Sequence, residues 1–375
     1  MKQKFDIGII GAGLSGLHLA NALLKKRIIN FILFEKESVI KNDKTYSFWK
    51  GPGLFDITRT LSVKPRKEWS QIEIKTQNKS HIIDLGKYRY VCYASKTVLE
   101  ELYQRVSKNG IKIQRGCSIK HIEKGKNHWL IHLKSKKIPF QYIVDSRPNK
   151  KFDDKYPSLK QVFIGTEIIS TKKIFDANIA TLMDFSDSKN SVIFTYILPF
   201  TQNRALIETT CFTSETDFKL LEGLHKITLK KFFVKKILRS EKAVLPMSPY
   251  PDLNHSDKYF RIGNFGGASR PASGYAFTRI ALWANQIDTQ KIFSYEMIHY
   301  KKNNLTNWLD KVLLSAIRSN PQSAPKIFKY FFTKVPISSV IRFLADQPKL
   351  IDYLFIIFKL PKIIMCKGLI NLYVK

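Results

Sequence analysis

The first thirty-five residues place apolar runs on either side of a stretch with helical spacing. Residues 5–10 form a short apolar run, and apolar side chains then recur three and four residues apart over residues 14–24. A second apolar run occupies residues 31–34 and ends at Glu35. The pattern predicts a strand, a helix and a second strand, which together form a βαβ unit.

From residue 300 onward, apolar side chains recur at the spacing of short helices. Three stretches repeat apolar side chains at helical spacing; prolines at 336 and 348 separate them, and Pro361 follows the last. These sets are Phe328, Phe331, Phe332 and Val335, then Ile337, Val340, Ile341 and Leu344, then Leu350, Tyr353, Leu354 and Ile357. We expect short amphipathic helices with basic residues beside their polar sides. They form either a surface that rests on anionic lipid or a helical cap packed on the core.

The middle of the chain alternates apolar and polar positions, as β-strands do. Residues 109–134 predict a small antiparallel meander, and a buried strand follows that ends at Asp145, either near the dinucleotide face or in a turn. Residues 191–212 predict a hairpin of two apolar strands with Glu208 in the second. The alternation alone turns Glu208 toward solvent, and the alternative is a buried acid with a raised pKa.

Glycines stand at the turn of the predicted βαβ unit in the pattern GxGxxG. Gly11 permits the tight turn, Gly13 lets the backbone approach a pyrophosphate, and Gly16 lets the helix pack closely on the strand. Glu35 follows Gly11 by 24 residues, where a carboxylate can accept hydrogen bonds from an adenosine ribose. The cofactor-binding residues predicted here are Gly11, Gly13, Leu14, Ser15, Gly16 and Glu35.

A second glycine-rich segment precedes an apolar, helix-capable run near residue 277. Small residues before a helix let backbone amides approach an anion. The first motif alone does not separate FAD from NAD, but a second glycine-rich segment about 250 residues later favours FAD held by two distant parts of one domain. The residues predicted to contact it are Gly263, Gly266, Gly267, Pro271, Ser273, Gly274 and Tyr275.

These patterns predict an α/β protein with a Rossmann-like FAD-binding domain, an inserted antiparallel β-sheet substrate domain and a C-terminal helical region. We assign residues 1–70, 86–150 and 240–299 to the FAD-binding domain. Residues 71–85 and 151–239 form the predicted substrate domain, and residues 300–375 form the helical region.

The net charge restricts the classes of binding partner, and the cysteine content bears on the cellular compartment and on metal binding. The chain has 63 basic and 30 acidic residues, for a formal net charge of +33. Either this excess meets an anionic membrane surface, or the scattered lysines simply occupy solvated faces. We predict no nucleic-acid partner, because no zinc-finger spacing or aromatic RNA-binding motif occurs. The four cysteines include no CxxC pair, which favours a reduced, intracellular protein without a metal site.

No segment is predicted to span a bilayer. The apolar C-terminal stretch is interrupted by Asp352, Lys359, Pro361 and Lys362, so it lacks the roughly 20 apolar residues that a spanning helix needs. We therefore expect a cytoplasmic protein that associates peripherally with the inner face of the cell membrane.

Several motifs together resemble the bacterial lycopene cyclases, flavoproteins that close the ionone rings of carotenoids. The resemblance extends along nearly the whole chain, and "LMDF" at 182–185, "YILPF" with "ALIE" at 196–208 and "RPASGY" at 270–275 are its most specific motifs. The remaining motifs are "IGAGLSGLHLA", "TYSFW", "QVFIGTEI" and "VLPM".

The resemblance implies a lycopene β-cyclase. Such an enzyme converts the ψ end groups of lycopene, or of a related acyclic carotenoid, to β-ionone rings with no net redox change. It uses reduced FAD, with NAD(P)H as the candidate reductant. A carbocation in an apolar pocket needs a nearby negative charge, because water is absent.

The resemblance also implies site residues. The family carries an acidic pair whose first member matches Glu208, whereas the second position is Thr209 here. This departure leaves open whether Glu208 acts alone or with Asp184 of "LMDF" as a second catalytic acid. Phe48, Trp49 and Tyr196 are candidates for the aromatic walls of the substrate pocket, with plain core packing as the alternative.

Two other functions fit parts of the sequence. One is a different FAD-dependent isoprenoid oxidoreductase, a reductase or hydroxylase, which would consume NAD(P)H or oxygen stoichiometrically. Against a monooxygenase, Pro148 stands in "VDSRP" where related flavoproteins have a glycine. The other is a basic peripheral membrane-binding or nucleic-acid-binding module that retains a degenerate flavin fold.

Overall fold

A computed structural model describes residues 6–76, 79–134, 136–147, 159–185, 192–247, 258–287, 300 and 303–374. In chain order the strands are β1 (Ile7–Ile10), β2 (Phe31–Phe34), β3 (Thr45–Lys50), β4 (Lys67–Trp69), β5 (Gln71–Thr76), β6 (Lys79–Asp84), β7 (Arg89–Ala94), β8 (Ile113–Gln114), β9 (His121–Lys124), β10 (Trp129–His132), β11 (Lys137–Phe140), β12 (Tyr142–Asp145), β13 (Leu159–Ser170), β14 (Ile179–Asp184), β15 (Val192–Thr201), β16 (Arg204–Thr213), β17 (Val234–Met247) and β18 (Tyr259–Arg261).

Helices follow some of these strands and then form the C-terminal part of the described chain. In chain order they are α1 (Leu14–Lys25), α2 (Ser95–Lys108), α3 (Phe218–Lys230), α4 (Phe277–Asn285), α5 (Asn304–Ser319), α6 (Ala324–Lys334), α7 (Ile337–Leu344), α8 (Leu350–Lys359) and α9 (Lys362–Tyr373).

A parallel sheet in the order β18-β12-β1-β2-β8 carries the N-terminal βαβ unit. Strand β1, helix α1 and strand β2 confirm the unit that the apolar pattern predicts. Buried side chains of α1, including Leu17 and Leu23, pack with those of α2 and α4, such as Val98 and Ile280. All four residues of β1 and of β2 are buried, as expected for parallel strands covered on both faces.

The predicted meander is only partly correct. Strands β9, β10 and β11 do form an antiparallel three-stranded sheet. Ile113, however, belongs to β8, which pairs in parallel with β2 at the edge of the Rossmann-like sheet. The reason is that α2 precedes β8, so β8 is the end of a crossover connection rather than the start of a hairpin. The meander covers the parallel sheet through contacts of Ile131 and Phe140 with Ile32 and Phe34.

A second, larger sheet has seven strands in the order β17-β13-β16-β15-β14-β5-β6. Its neighbours are antiparallel except β14 and β5, which are parallel. Strands β15 and β16 form the predicted hairpin, with Thr201 paired to Arg204 across the turn. The domain boundary predicted between residues 239 and 240 falls inside β17, whose ladder with β13 continues from Val234 to Met247.

The C-terminal helices cover one face of this sheet. Phe328 of α6 packs on Phe212 and Phe185 at ring-centroid distances of 6.3 and 6.0 Å. Helix α9 lies directly on α5, because a Cβ on Gly368 would stand 2.6 Å from the Cβ of Ala316. Helix α3 covers the opposite face, where Leu221 contacts Val162 and Ile164. A third sheet, β3-β7-β4, lies between these parts.

Helix α8 differs from its prediction in the direction of its apolar face. Of the predicted set, only Tyr353 is buried, whereas Leu350, Leu354 and Ile357 are 82%, 49% and 43% exposed. The helix packs on the core through Tyr353 and Ile356, so the rest of its apolar surface faces outward. Within the described residues, no helix is long and apolar enough to cross a membrane.

Candidate active site

A cavity of about 550 Å³ lies between the parallel sheet, the seven-stranded sheet and the C-terminal helices. Most of its wall comes from three groups of residues. The first is the turn before α1 with the loop before α4, the second is one face of the seven-stranded sheet with residues of β3 and β7, and the third is an apolar set from the C-terminal helices. That apolar set includes Ile327, Phe328, Phe331, Phe332, Phe343, Leu344, Ile356, Leu360 and Met365.

The β1–α1 turn opens on this cavity and suits an anionic ligand. Gly13, Leu14 and Ser15 line the cavity, and a Cβ on Gly13 would meet no atom within 4 Å. Helix α1 begins at Leu14 with no acidic residue in its first turn. The positive end of the helix dipole and its free amides therefore face an open cradle, which fits the pyrophosphate of a dinucleotide.

The other residues of this motif shape the turn rather than line the cavity. Gly11 has φ +95°, and a Cβ there would lie 2.2 Å from Oγ of Ser146. A Cβ on Gly16 would lie 1.9 Å from the carbonyl oxygen of Gly11, so the close packing of helix on strand requires glycine. The Glu35 carboxylate accepts a hydrogen bond from the amide of Ala12 at 2.8 Å, at the end of β2.

The second glycine-rich segment meets the first at the cavity. Gly263, Ser273, Gly274 and Tyr275 line the cavity. Gly263 has φ +76°, and a Cβ there would lie 3.1 Å from Oγ of Ser15, so the two segments are in contact.

Three further residues predicted in this segment support the loop without lining the cavity. Gly267 has φ +86°, and a Cβ on Gly266 would meet the Arg261 carbonyl at 2.7 Å. Pro271 is buried beside them. The glycines at 266 and 267 therefore serve the backbone path of the loop rather than a direct ligand contact.

Arg270 anchors the same loop to the C-terminal helices. Its Nε and Nη2 donate to the Asp310 carboxylate of α5 at 3.0 and 2.9 Å, and Nη1 donates to the carbonyl of Phe343. Both members of the Arg270–Asp310 ion pair are buried. The loop before α4 is therefore fixed to α5 and α7 by a buried, bidentate ion pair.

Glu208 points into the cavity from the middle of β16. Its side chain is buried, and Oε1 accepts a hydrogen bond from Oγ1 of Thr210 at 2.8 Å. Burial, followed by the charge of Glu241, raises the pKa of Glu208 to about 8. The expectation from alternation alone, that Glu208 faces solvent, is wrong because the C-terminal helices cover this face of the sheet.

A network of phenols stands beside Glu208. Tyr196 lies directly opposite Glu208 in the β15–β16 ladder and lines the cavity. Its hydroxyl is 2.9 Å from that of Tyr90, which lies 3.2 Å from the hydroxyl of Tyr275. Burial raises the pKa of all three phenols well above the usual range, so they stay protonated. The network connects the glycine-rich loop to the sheet face that holds Glu208.

The other two predicted aromatic residues are buried but do not line the cavity. The ring of Phe48 stacks on Tyr93 at 6.0 Å between centroids, and that of Trp49 packs on Tyr90 at 4.7 Å. Trp49 thus supports the wall from behind Tyr90, since Tyr90 itself lines the cavity.

Asp184 is not brought to the cavity either. Its neighbours Leu182 and Met183 line the cavity, but the Asp184 carboxylate lies 3.9 Å from Nζ of Lys75 on the adjacent strand. A register shift in the β14 ladder between Thr181 and Asp184 interrupts the simple alternation of side chains there.

Two acidic residues near the site were missed by the sequence reasoning. Glu241 of β17 is buried and lines the cavity. Glu167 of β13 accepts hydrogen bonds from Arg66, Arg204 and Arg239. Burial alone would raise the pKa of Glu167, but these arginines lower it to about 2. Their strands lie side by side only because of long-range pairing, so no local pattern reveals the cluster.

One group in the described part of the chain has the spacing of metal ligands, although no metal site was predicted. Ligand atoms of His121, Glu123 and His132 all lie within 4.8 Å of one another on the β9–β10 ladder. Nε2 of His132 is 2.7 Å from Oε2 of Glu123, so these two side chains already bind each other. The cross-strand pairing of His121 with His132 explains why spacing along the chain does not reveal the group.

Several solved structures share this fold. A geranylgeranyl bacteriochlorophyll reductase-like protein from Thermoplasma acidophilum matches with a TM-score of 0.64 and 12% identity over 99% of both chains. A flavoprotein/dehydrogenase from Cytophaga hutchinsonii matches with a TM-score of 0.56 and 14% identity over 91% of this chain and 92% of that one. The predicted fold class, a Rossmann-like domain of the FAD-binding type with an inserted antiparallel sheet and C-terminal helices, is confirmed.

Sequence comparisons identify the family. A curated relative, the chloroplastic/chromoplastic lycopene beta cyclase of Narcissus pseudonarcissus, is 24% identical over 221 residues, which cover 53% of this chain and 43% of the relative. The match thus spans less than half of that relative's length. The family model described as lycopene cyclase protein matches residues 6–369. The chain therefore belongs to the lycopene cyclase family.

Proposed function

We propose that this chain is a lycopene β-cyclase, which closes the ψ end groups of lycopene, or of a related acyclic carotenoid, into β-ionone rings. The observation that carries the proposal is a buried carboxyl, Glu208, with a pKa raised to about 8, in a cavity with aromatic and aliphatic walls. A carboxyl that is protonated at neutral pH is a general acid suited to an alkene.

FAD is the proposed cofactor. Gly13, Leu14 and Ser15 would hold its pyrophosphate at the start of α1, and Glu35 would accept hydrogen bonds from its ribose. Ser273, Gly274 and Tyr275 would border the flavin ring. When bound in its reduced form, with NAD(P)H as the proposed source of electrons, the flavin would supply an electron-rich ring system.

The residues of this chain account for the protons and for the exclusion of water. The Glu208 hydroxyl donates its proton to the terminal double bond, and the resulting cation closes the ring by forming one carbon–carbon bond. A carboxylate then takes a proton from the ring, so no electrons are gained or lost. The apolar set from the C-terminal helices keeps out water that would quench the cation. Tyr196 presents an aromatic ring that can stabilise positive charge.

Membrane association is a further part of the proposal. Helices α8 and α9 expose Leu350, Phe358 and Ile363, which are 82%, 64% and 75% accessible, beside several lysines. The same two helices contribute Ile356 and Met365 to the cavity wall, and Leu360 between them also lines it. An apolar surface of this kind would rest in the headgroup region of an anionic membrane and place the cavity next to a lipid-dissolved carotenoid.

Expression in a lycopene-producing bacterial host tests the reaction. Chromatography of the pigments should reveal monocyclic or bicyclic carotene, and unchanged lycopene would refute the proposal. A saturated or hydroxylated product, formed with stoichiometric consumption of NAD(P)H or oxygen, would instead identify an isoprenoid reductase or hydroxylase.

A further inference from the structure

Two glutamates flank one glycine in the middle of the seven-stranded sheet. Gly165 of β13 is paired with Glu208 of β16 on one side and with Glu241 of β17 on the other. Residues directly opposite each other in a ladder point to the same face. Glu208 and Glu241 therefore share the cavity face, with Cα atoms two strand spacings, or about 10 Å, apart.

The absence of a side chain at 165 lets the two carboxyls approach each other. A Cβ on Gly165 would lie 3.0 Å from Cγ and 3.4 Å from Oε1 of Glu241, so the Glu241 side chain lies over the glycine. Glu241 is thereby directed toward β16, and both glutamates line the same cavity. Glycine inside a strand commonly marks a close approach of this kind.

The surroundings of the two carboxyls differ. Nη1 of Arg239 donates to Oε2 of Glu241 at 2.5 Å, and Oγ1 of Thr45 lies 3.2 Å from the same oxygen. Among the described residues, the hydrogen-bond donor to the Glu208 carboxyl is Thr210. A cation next to Glu241 and a neutral hydroxyl next to Glu208 favour negative charge on Glu241 and the proton on Glu208.

The adjacent position, 209, faces the other way. Oγ1 of Thr209 is 2.9 Å from Nδ1 of His225, whose Nε2 is 2.8 Å from Oγ1 of Thr166. His225 belongs to α3, which covers the face of the sheet opposite to the cavity. Because neighbouring residues of a strand point to opposite faces, position 209 cannot supply a second acid to the cavity.

We propose that Glu208 and Glu241 act as one coupled pair in which Glu208 carries the proton given to the substrate and Glu241 carries the negative charge. Glu241 is thus a positioning residue that acts through Glu208, and this role rests on the proposed function. Two buried carboxyls on one cavity face do not both ionise readily, so the charge of Glu241 adds to burial in keeping Glu208 protonated at neutral pH.

The proton inventory of the pair is balanced. Glu208 loses its proton to the alkene carbon, and the Glu208 carboxylate then faces the substrate cation, while Glu241 and Arg239 keep their charges. After ring closure the cation releases a proton to Glu208, and the pair returns to its starting charge. No oxidant or reductant takes part in these steps.

Other titratable groups also face Glu208. They are Glu241 and Arg239 of β17, Glu167 of β13, Tyr196 of β15, Tyr90 of β7 and Tyr275 before α4, with the Arg270–Asp310 pair on the helical side of the cavity. Burial raises the pKa of Glu241, and the charge of Arg239 opposes that rise. Of these groups, Glu241 is the one whose negative charge contributes most to the raised pKa of Glu208.

Infrared difference spectra between pH steps test the pair in the full-length, flavin-loaded protein without carotenoid. The carboxyl band that is lost in Glu208→Gln identifies Glu208. In the Glu241→Gln variant we expect the titration midpoint of Glu208 to fall by at least about one pH unit, a tenfold increase in its acid dissociation constant. Glu241→Asp, which retains the charge, should restore most of the shift. Glu222→Gln, which removes an exposed carboxylate 3.9 Å from Lys242, is the matched control and should leave the midpoint unchanged.

Gly165→Ala provides an independent variant that alters no charge. Its new Cβ displaces Glu241, so the midpoint of Glu208 should fall part of the way toward that of Glu241→Gln. An unchanged midpoint in folded Glu241→Gln would overturn the pairing, even if the enzyme cyclises lycopene. A lowered midpoint in a protein that forms no cyclic carotene would instead refute the proposed reaction and leave the coupling of the carboxyls intact.

Discussion

Glu208 and Glu167 lie on neighbouring strands at the same face of one sheet, yet their surroundings shift their pKa values in opposite directions. Three arginines lower the pKa of Glu167 to about 2, whereas burial and Glu241 raise that of Glu208 to about 8. Separation of this kind assigns one carboxyl to permanent negative charge and the other to proton transfer. The groups that surround each carboxyl therefore determine its charge and its role in the cavity.

Glu208→Gln tests the catalytic assignment directly. The amide matches the carboxyl in size but has no acidic proton, so we expect cyclisation to fall by at least about 100-fold, within the range for loss of a general acid. Flavin should stay bound, because Glu208 lies on the sheet and not on the glycine-rich segments. Pigment analysis and the flavin absorbance of the purified variant measure the two properties. Retained activity would remove Glu208 from the mechanism.

The raised pKa of Glu208 also predicts how stability depends on pH. The folded protein holds the Glu208 proton up to a pH of about 8, whereas the unfolded chain releases it near the ordinary carboxyl value. The contribution of this group to stability is therefore complete at low pH and is lost as pH rises toward and through 8. Between pH 6 and pH 9, the thermal unfolding midpoint should fall less in the Glu208→Gln variant than in the parent. An equal loss in both proteins would contradict the shifted pKa.

At the scale of elements, the loop before α4 depends on one ion pair with the C-terminal helices. Arg270→Met leaves the buried Asp310 carboxylate without its bidentate partner, which should cost about 3–5 kcal/mol in free energy of unfolding. The double variant Arg270→Met with Asp310→Leu should recover most of this loss, because no buried charge is left unpaired. Chemical denaturation of the parent, both single variants and the double variant measures the coupling. Additive losses would show that the pair does not hold the loop.

The elements also show how far the sequence alone leads. The βαβ unit and the β15–β16 hairpin are predicted correctly because each depends on residues close together in the chain. The alignment of Glu241, Gly165 and Glu208 depends on ladders between strands roughly 40 to 80 residues apart, and no period in the sequence encodes that pairing. The catalytic role of Glu208 is predicted by the family resemblance, whereas the alternation of apolar and polar residues predicts that its side chain faces solvent.

At the scale of the whole molecule, the apolar side chains exposed by α8 and α9 determine the proposed contact with a membrane. Replacing Phe358 and Ile363 by aspartate should weaken binding to anionic vesicles by at least about tenfold, given roughly 1.5–3 kcal/mol per buried large apolar side chain. Val39→Asp, at a position that is 61% exposed in another part of the fold, is the matched control. Vesicle sedimentation at low and high salt separates the apolar contribution from that of the lysines. Equal binding by all variants would exclude these helices as the docking surface.

The wall of the cavity draws on residues from Gly13 to Met365, so it depends on segments that leave the ribosome at very different times. While the chain is being synthesised, the dinucleotide turn emerges first, long before the helices that close the apolar side have been made. We therefore expect a nascent chain arrested before α8 to expose the face of the sheet that carries Glu208 to water. Lipid or a chaperone would have to shield this apolar surface until translation ends.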